Sequence, residues 1–184
     1  MKRIKLGQMI FMALCCDCGL IAKKLISPFA DLITESLHIP GGIATGISLM
    51  FIIVPAASFR IFGCATLMSV IQSVLALSFG MVGSMGALAP IGYIIPGIVI
   101  DLCLFLFRRS ASPSSGILAA SIAASVSAAL TADILVFRLY GIALCVYIAV
   151  AATTGAVCSL PASVLAGRIS SYISDRTLKE DVLS

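Results

Sequence analysis

The chain has 184 residues, of which 60% are hydrophobic and only 11% are charged, and its mean hydropathy is +1.16. This composition excludes an ordinary soluble domain, which needs far more polar surface. Apolar residues fill whole segments rather than one face of each, which is typical of helices surrounded by lipid. The net charge of +4 does not indicate nucleic-acid binding, because the basic residues are scattered between apolar segments and form no patch.

The first apolar segment covers residues 6–26 and predicts a transmembrane helix, since about 20 apolar residues cross a bilayer. It ends at Lys23-Lys24 rather than at a small-residue cleavage site, so we interpret it as a retained helix and not as a signal peptide. A mixed stretch over residues 27–42 is expected to form the first outer loop. The second helix is predicted over residues 43–59.

The remaining apolar segments predict four more helices, which gives six transmembrane helices in a single domain. The fourth contains several Pro and Gly residues, and the backbone groups that they free must be satisfied by protein or by water in a cavity. The predicted helices cover residues 61–79, 87–107, 116–137 and 141–166, with a glycine-rich turn at 80–86 and a charged cytoplasmic tail at 167–184.

The distribution of Lys and Arg predicts the orientation of this all-α bundle, because cytoplasmic loops collect these residues. With the N-terminus inside, nine of the twelve basic residues are cytoplasmic and three are outside. We therefore predict an integral membrane protein with both termini in the cytoplasm. The cytoplasmic set is Lys2, Arg3, Lys5, Arg60, Arg108, Arg109, Arg168, Arg176 and Lys179, and the outer set is Lys23, Lys24 and Arg138.

The seven cysteines all lie inside apolar segments, where Cys acts as a small packing residue rather than as part of a disulfide framework. Residues 15–18, Cys-Cys-Asp-Cys, resemble a metal cluster. Consecutive residues of a helix point in different directions, so this run does not predict a metal site, and no cofactor is expected.

Asp17, Asp101 and Asp133 are ionisable residues inside predicted helices, where a charge is expensive and suggests function. A buried hydrogen bond or ion pair that fixes helix packing is the alternative for each. Asp133 is the strongest candidate for substrate binding, because several other polar residues are predicted at the same outer level. These candidate substrate-binding residues are Gln72, Ser84, Tyr93, Tyr147, Glu35, His38 and Arg138, with Tyr140 beside them.

Apolar walls with a few convergent polar groups suit a small, partly aromatic ligand. A cationic or neutral pyrimidine would suit Asp133 and Glu35. An anionic ligand, such as a carboxylate-bearing vitamin or lipoate, would suit Arg138, Lys23 and Lys24. The sequence leaves both open, because Arg138 and Asp133 are close enough in sequence to neutralise each other.

Together these features resemble an S component of an energy-coupling-factor (ECF) transporter, the substrate-binding membrane subunit of a prokaryotic vitamin importer. The resemblance covers residues 7–167 and is nearest to the branch for thiamine or its hydroxymethylpyrimidine precursor. The overall features behind it are six short helices, a long first loop and a small basic tail. The local features are Gly46-Ile47, Arg60 with Gly63, Gly83-Ser84, Pro96-Gly97 with Asp101, and Asp133.

The resemblance implies a location in a prokaryotic cell membrane, a mechanism and partners. The S component would bind its vitamin outside, dock on a transmembrane T component driven by two ATP-binding subunits, and release the ligand inside. Docking in this family uses small residues four apart on the cytoplasmic half of the first helix. Ala13 and Cys16 are the small residues there, whereas the four-apart pairs Cys15/Gly19 and Cys18/Ala22 lie nearer the middle of the helix.

Two other function classes remain open from the residues alone. A self-contained small secondary transporter or channel is one, although the chain shows no convincing internal repeat. An intramembrane hydrolase using His38 and Ser84 is the other, but His38 is predicted in a loop without the fixed geometry that catalysis needs. The chain has no Gly-rich phosphate loop followed by Lys-Ser/Thr, so we expect a non-enzymatic subunit that depends on partners for ATP hydrolysis.

Overall fold

The computed structural model describes residues 6–37, 43–59, 61–81, 86, 88–107, 113–138 and 140–183, and their side chains except those of 30–37, 43–44, 113 and 173–183. This part of the chain consists of helices and turns, without a strand. Six α-helices follow one another, and a π-helical segment, Asp133–Phe137, separates the last two. The helices are α1 (Leu6–Leu37), α2 (Ile43–Phe59), α3 (Cys64–Ser78), α4 (Ala89–Phe107), α5 (Pro113–Ala132) and α6 (Ile142–Leu183).

Two helices extend beyond the segments that hydrophobicity outlines. Helix α1 continues through Pro28 to Leu37, so the predicted loop over residues 27–42 is wrong for its first part. No glycine or proline follows Pro28 until residues 40–42, and no stop signal ends the helix earlier. Helix α6 runs on to Leu183 for the same reason, since residues 168–183 contain neither Pro nor Gly. The charged tail is therefore a helical extension.

The helices pack mainly in chain order, with α3 on α4, α4 on α5 and α5 on α6. Helix α2 closes the bundle, because it contacts α1, α5 and α6. The common core contains Ile52 and Ile53 from α2, Met68 from α3 and Ile100 from α4, all completely buried. Alanines supply the core-facing side of α5, and small side chains of this kind let helix backbones approach closely.

Three stretches are long and apolar enough to cross a membrane, namely Ala89–Phe107, Ser114–Phe137 and Ile142–Tyr172. The first has a mean hydropathy of 2.1, yet only 22% of it is buried inside the protein. Ile98, Leu102 and Phe105 on its outer face are 50 to 59% exposed. A surface with this much apolar area is unlike that of a soluble monomer and has the character of transmembrane helices.

Candidate functional site

Asp133 opens the π-helical segment at the end of α5 and is only 7% exposed. Arg138 follows the last residue of the segment and has a left-handed backbone, with φ of 49°. The Arg138 backbone N–H donates to the Asp133 carbonyl oxygen at 2.8 Å. π-Helical turns are rare and occur often at functional sites. Here the turn keeps the Asp133 carboxylate inside the bundle while the Arg138 side chain is exposed.

Tyr147 of α6 is the neighbour of Asp133 across this end of the bundle. Tyr147 is 2% exposed and packs beside the π-helical segment that Asp133 opens. The Phe137 ring meets the Tyr147 ring edge-on, with 6.2 Å between centroids, a favourable aromatic geometry. The structure thus brings together Asp133 and Tyr147, two of the predicted substrate-binding residues, whereas Tyr140 is 84% exposed.

Gln72 of α3 is completely buried in a second polar region, between α1, α2 and α3. Its side-chain N–H donates to the Ser48 hydroxyl of α2 at 3.0 Å. Its carbonyl oxygen Oε1 is buried without a hydrogen-bond partner among the described residues. Gly19 of α1 makes room for this amide, since a Cβ there would lie 3.0 Å from the Gln72 nitrogen.

Tyr93 of α4 receives a hydrogen bond from Lys23 of α1, with 2.8 Å between the ammonium nitrogen and the phenol oxygen. The same nitrogen lies 4.5 Å from the Tyr93 ring centroid, within the range of a cation–π interaction. Both side chains are partly buried. Lys23 was predicted as an outer cation that would suit an anionic ligand, and its contact with Tyr93 was not predicted.

Three predicted residues lie wholly or partly outside the described part of the chain. Ser84 and His38 lie outside the described residues. Glu35 belongs to α1 rather than to a loop, and its side chain is outside the described set. The hydrolase hypothesis rests on His38 and Ser84 and so stays a prediction.

Asp101 of α4 has a structural role that hydrophobicity alone does not reveal. Its two carboxylate oxygens accept hydrogen bonds from the backbone N–H groups of Ala65 and Thr66, at 3.2 and 2.8 Å, and from the Thr66 hydroxyl at 2.7 Å. These donors belong to the first turn of α3, which has no intrahelical acceptor for them. Asp101 therefore caps a neighbouring helix, and this carboxylate has little capacity left for a ligand.

The candidate docking residues of α1 face in different directions. Ala13 is exposed, as is Asp17 one turn later. Cys16 is fully buried, and its thiol donates to the carbonyl oxygen of Met68 in α3 at 3.6 Å. In this conformation only Ala13 of the two predicted docking residues is accessible to a partner.

The arrangement offers binding groups in two places. The first is the α5–α6 pair of Asp133 and Tyr147. The second combines the Lys23–Tyr93 contact with the buried Gln72 amide, which packs against the same helix α1, and is called the α1–α3–α4 cluster. Within the described residues, no group of three or more His, Cys, Asp or Glu side chains is placed to hold a metal ion. Comparison of the chain with protein-family models, with curated proteins and with solved structures found no match.

Proposed function

We propose that this protein is a six-helix integral membrane protein that captures a small molecule outside the cell as the S component of an ECF-type importer. Its ligand would be a vitamin or vitamin precursor. A thiamine- or pyrimidine-like molecule is favoured by the family resemblance, and another vitamin or lipoate is the alternative. A T component and two ATP-binding subunits would complete the transporter. The proposal is supported by the membrane character of the helices and by the buried polar groups between them.

All six helices take part in the proposed membrane domain, including those of less than spanning length. Helix α3 has 15 residues, about 22 Å of helix, against about 30 Å of hydrocarbon. A helix that starts inside this layer needs partners for its first N–H groups. Asp101 supplies them, so a short α3 is compatible with a position inside the bilayer.

The orientation follows from the basic residues, with nine cytoplasmic and three outside. In this topology the C-terminal ends of α1, α3 and α5 and the N-terminal ends of α4 and α6 point outward. The Asp133–Tyr147 pair and the α1–α3–α4 cluster then lie in the outer half, on the side from which an imported ligand arrives. Release to the cytoplasm would depend on the partner subunits.

The buried, half-satisfied amide of Gln72 is the observation that carries a binding function. Burial of a polar group without a hydrogen bond costs about 1–3 kcal/mol, and native proteins rarely keep such groups without a reason. Only one end of the amide is used, by Ser48. A ligand that bonds the other end would recover this cost on binding, so the site favours an occupied state.

The exposed face of α1 supports docking on a partner. Ala13 is small and accessible, and Asp17 lies one turn away on the same face. A carboxylate facing lipid is unfavourable, and a partner helix with a hydrogen-bond donor or a cation would shield it. The T component is the proposed partner at this surface.

Asp133→Asn tests the proposed ligand site, because it removes the charge and keeps the shape of the side chain. We expect normal membrane insertion and a loss of ligand affinity of about tenfold or more. The ligand is first identified by mass spectrometry of small molecules that co-purify with the protein, and affinity is then measured by calorimetry. Ile134→Ala, a change at an exposed neighbour, is the control and should bind normally. Unchanged affinity in Asp133→Asn would remove Asp133 from the site.

A further inference from the structure

Lys23 has an environment that leaves its charge only partly compensated. The ammonium group is partly buried between α1 and α4, and its two polar contacts among the described residues are both with Tyr93, through the phenol oxygen and the ring. A phenol is neutral, and among the described side chains no carboxylate forms an ion pair with Lys23. Burial of a cation away from water is costly unless an anion or several hydrogen-bond acceptors accompany it. This ammonium is therefore able to take an anionic partner.

Helix α1 places Lys23 on the same side as the buried amide of Gln72. Gly19 packs directly against that amide, and Lys23 follows Gly19 by four residues in a continuous helix. Residues four apart lie on one face of a helix, about one turn from each other. Lys23 therefore lies about one turn further along α1 than Gly19, the residue at which α1 contacts Gln72.

Helices α3 and α4 bring Tyr93 to the level of Gln72. The two helices are antiparallel, since Asp101 bonds the first turn of α3 and Gly97 packs against Ser69 one turn further along. One turn beyond Ser69 on α3 lies Gln72. One turn beyond Gly97 on α4, in the same direction, lies Tyr93. The hydrogen bond between Lys23 and Tyr93 then closes the cluster from α1.

We propose that the α1–α3–α4 cluster binds a carboxylate or phosphate group of the captured molecule. Lys23 supplies the positive charge, and Tyr93, which accepts a hydrogen bond from Lys23, still has its own hydroxyl proton to donate to the anion. Gln72 bonds a polar atom next to the anionic group through the amide end that Ser48 does not use. An exchange of the amide oxygen and nitrogen leaves this conclusion unchanged, because one end remains buried without a partner. This inference rests on the proposed function and narrows its ligand to an anionic one.

The test compares pairs of molecules that differ only in the charged group, namely lipoate with lipoamide, and hydroxymethylpyrimidine phosphate with hydroxymethylpyrimidine. Binding is measured by calorimetry on the full chain in nanodiscs. We expect the charged member of at least one pair to bind about tenfold or more tightly than its neutral partner. Lys23→Gln should weaken binding of that charged member by about tenfold to a hundredfold and leave the neutral member unaffected.

Two further variants separate recognition of charge from damage to the fold. Lys23→Arg keeps the cation and should keep the preference for the charged member. Lys24→Gln removes the adjacent, exposed lysine and should bind like the unmodified protein. Retained binding of the neutral member by Lys23→Gln shows that this variant is folded.

Equal binding of the charged and neutral members, or an effect of Lys24→Gln as large as that of Lys23→Gln, would overturn the inference. Either result would leave the proposed function standing, because a ligand would still be bound. Failure of both pairs to bind at millimolar concentration would also overturn it. The identity of the co-purifying molecule then tests the proposed function separately.

Discussion

The side chain of Asp101 in α4 caps the N-terminus of a different helix, α3. The first N–H groups of α3 have no acceptors within the helix, and Gly63, which precedes it in the left-handed region with φ of 86°, has no side chain to offer. The Cys64 N–H bonds the Ile61 carbonyl oxygen, and Asp101 takes the next two N–H groups. Every donor of this turn is therefore satisfied, and the negative charge lies at the positive end of the helix dipole.

Replacing Asp101 by alanine should destabilise the bundle, because the buried backbone N–H of Ala65 and the partly buried one of Thr66 lose their acceptor. We expect the free energy of unfolding to fall by about 2 kcal/mol or more, measured by thermal unfolding in detergent. Leu102→Ala, at the exposed next position, is the matched control and should have a much smaller effect. Equal stability of Asp101→Ala and the unmodified protein would show that the cap contributes nothing.

At the scale of helices, close packing depends on glycines that face a neighbouring backbone or a small side chain. A Cβ at Gly155 of α6 would lie 2.7 Å from the carbonyl oxygen of Ser121 and 2.7 Å from the hydroxyl of Ser125 in α5. The Ser121 hydroxyl also donates to the Gly155 carbonyl oxygen at 2.6 Å. The α5–α6 contact is thus one of backbone on backbone, and any side chain at Gly155 would separate the helices.

Gly155→Ala should therefore lower the free energy of unfolding by about 1–3 kcal/mol, the usual cost of overpacking. Gly167→Ala is a matched control in the same helix, because a Cβ there meets nothing within 4 Å. Alanine is the better helix former, so this control should be neutral or slightly stabilising. The same thermal unfolding assay compares them, and a Gly155→Ala protein as stable as Gly167→Ala would contradict the packing described for α5 and α6.

Hydrophobicity predicted the helical class and the approximate positions of the helices, because long apolar runs carry that signal directly. It did not predict the continuation of α1 to Leu37, since the polar residues after position 26 were interpreted as a loop. The π-helical turn at Asp133 has no signature in local composition. The Asp101 cap and the Lys23–Tyr93 contact were also missed, because both join residues about 35 or 70 positions apart in sequence, and only packing brings such residues together.

At the scale of the whole molecule, the proposed ligand site and the proposed docking surface lie on different parts of the protein. We propose that polar groups at one end of the bundle bind the ligand, and that the exposed face of α1 with Ala13 and Asp17 contacts the partner. Binding and docking then use separate residues. A change on the face of α1 should consequently affect assembly without affecting capture.

Ala13→Leu tests this separation, because a larger side chain keeps a partner helix at a distance. We expect several-fold less T component to co-purify with the variant, while its affinity for the identified ligand stays the same. Ala143→Leu makes the same change at an exposed position on α6 and should assemble normally. Normal assembly of Ala13→Leu would exclude this face of α1 as the docking surface.

Uptake of the co-purifying ligand into reconstituted vesicles tests the central claim most directly. The chain is reconstituted alone, or together with a T component and two ATP-binding subunits, and internal ligand is measured with and without ATP. We predict tight binding by the chain alone, and accumulation only when the partners and ATP are both present. Accumulation by the chain alone under an ion or proton gradient would contradict it and would identify a self-contained transporter.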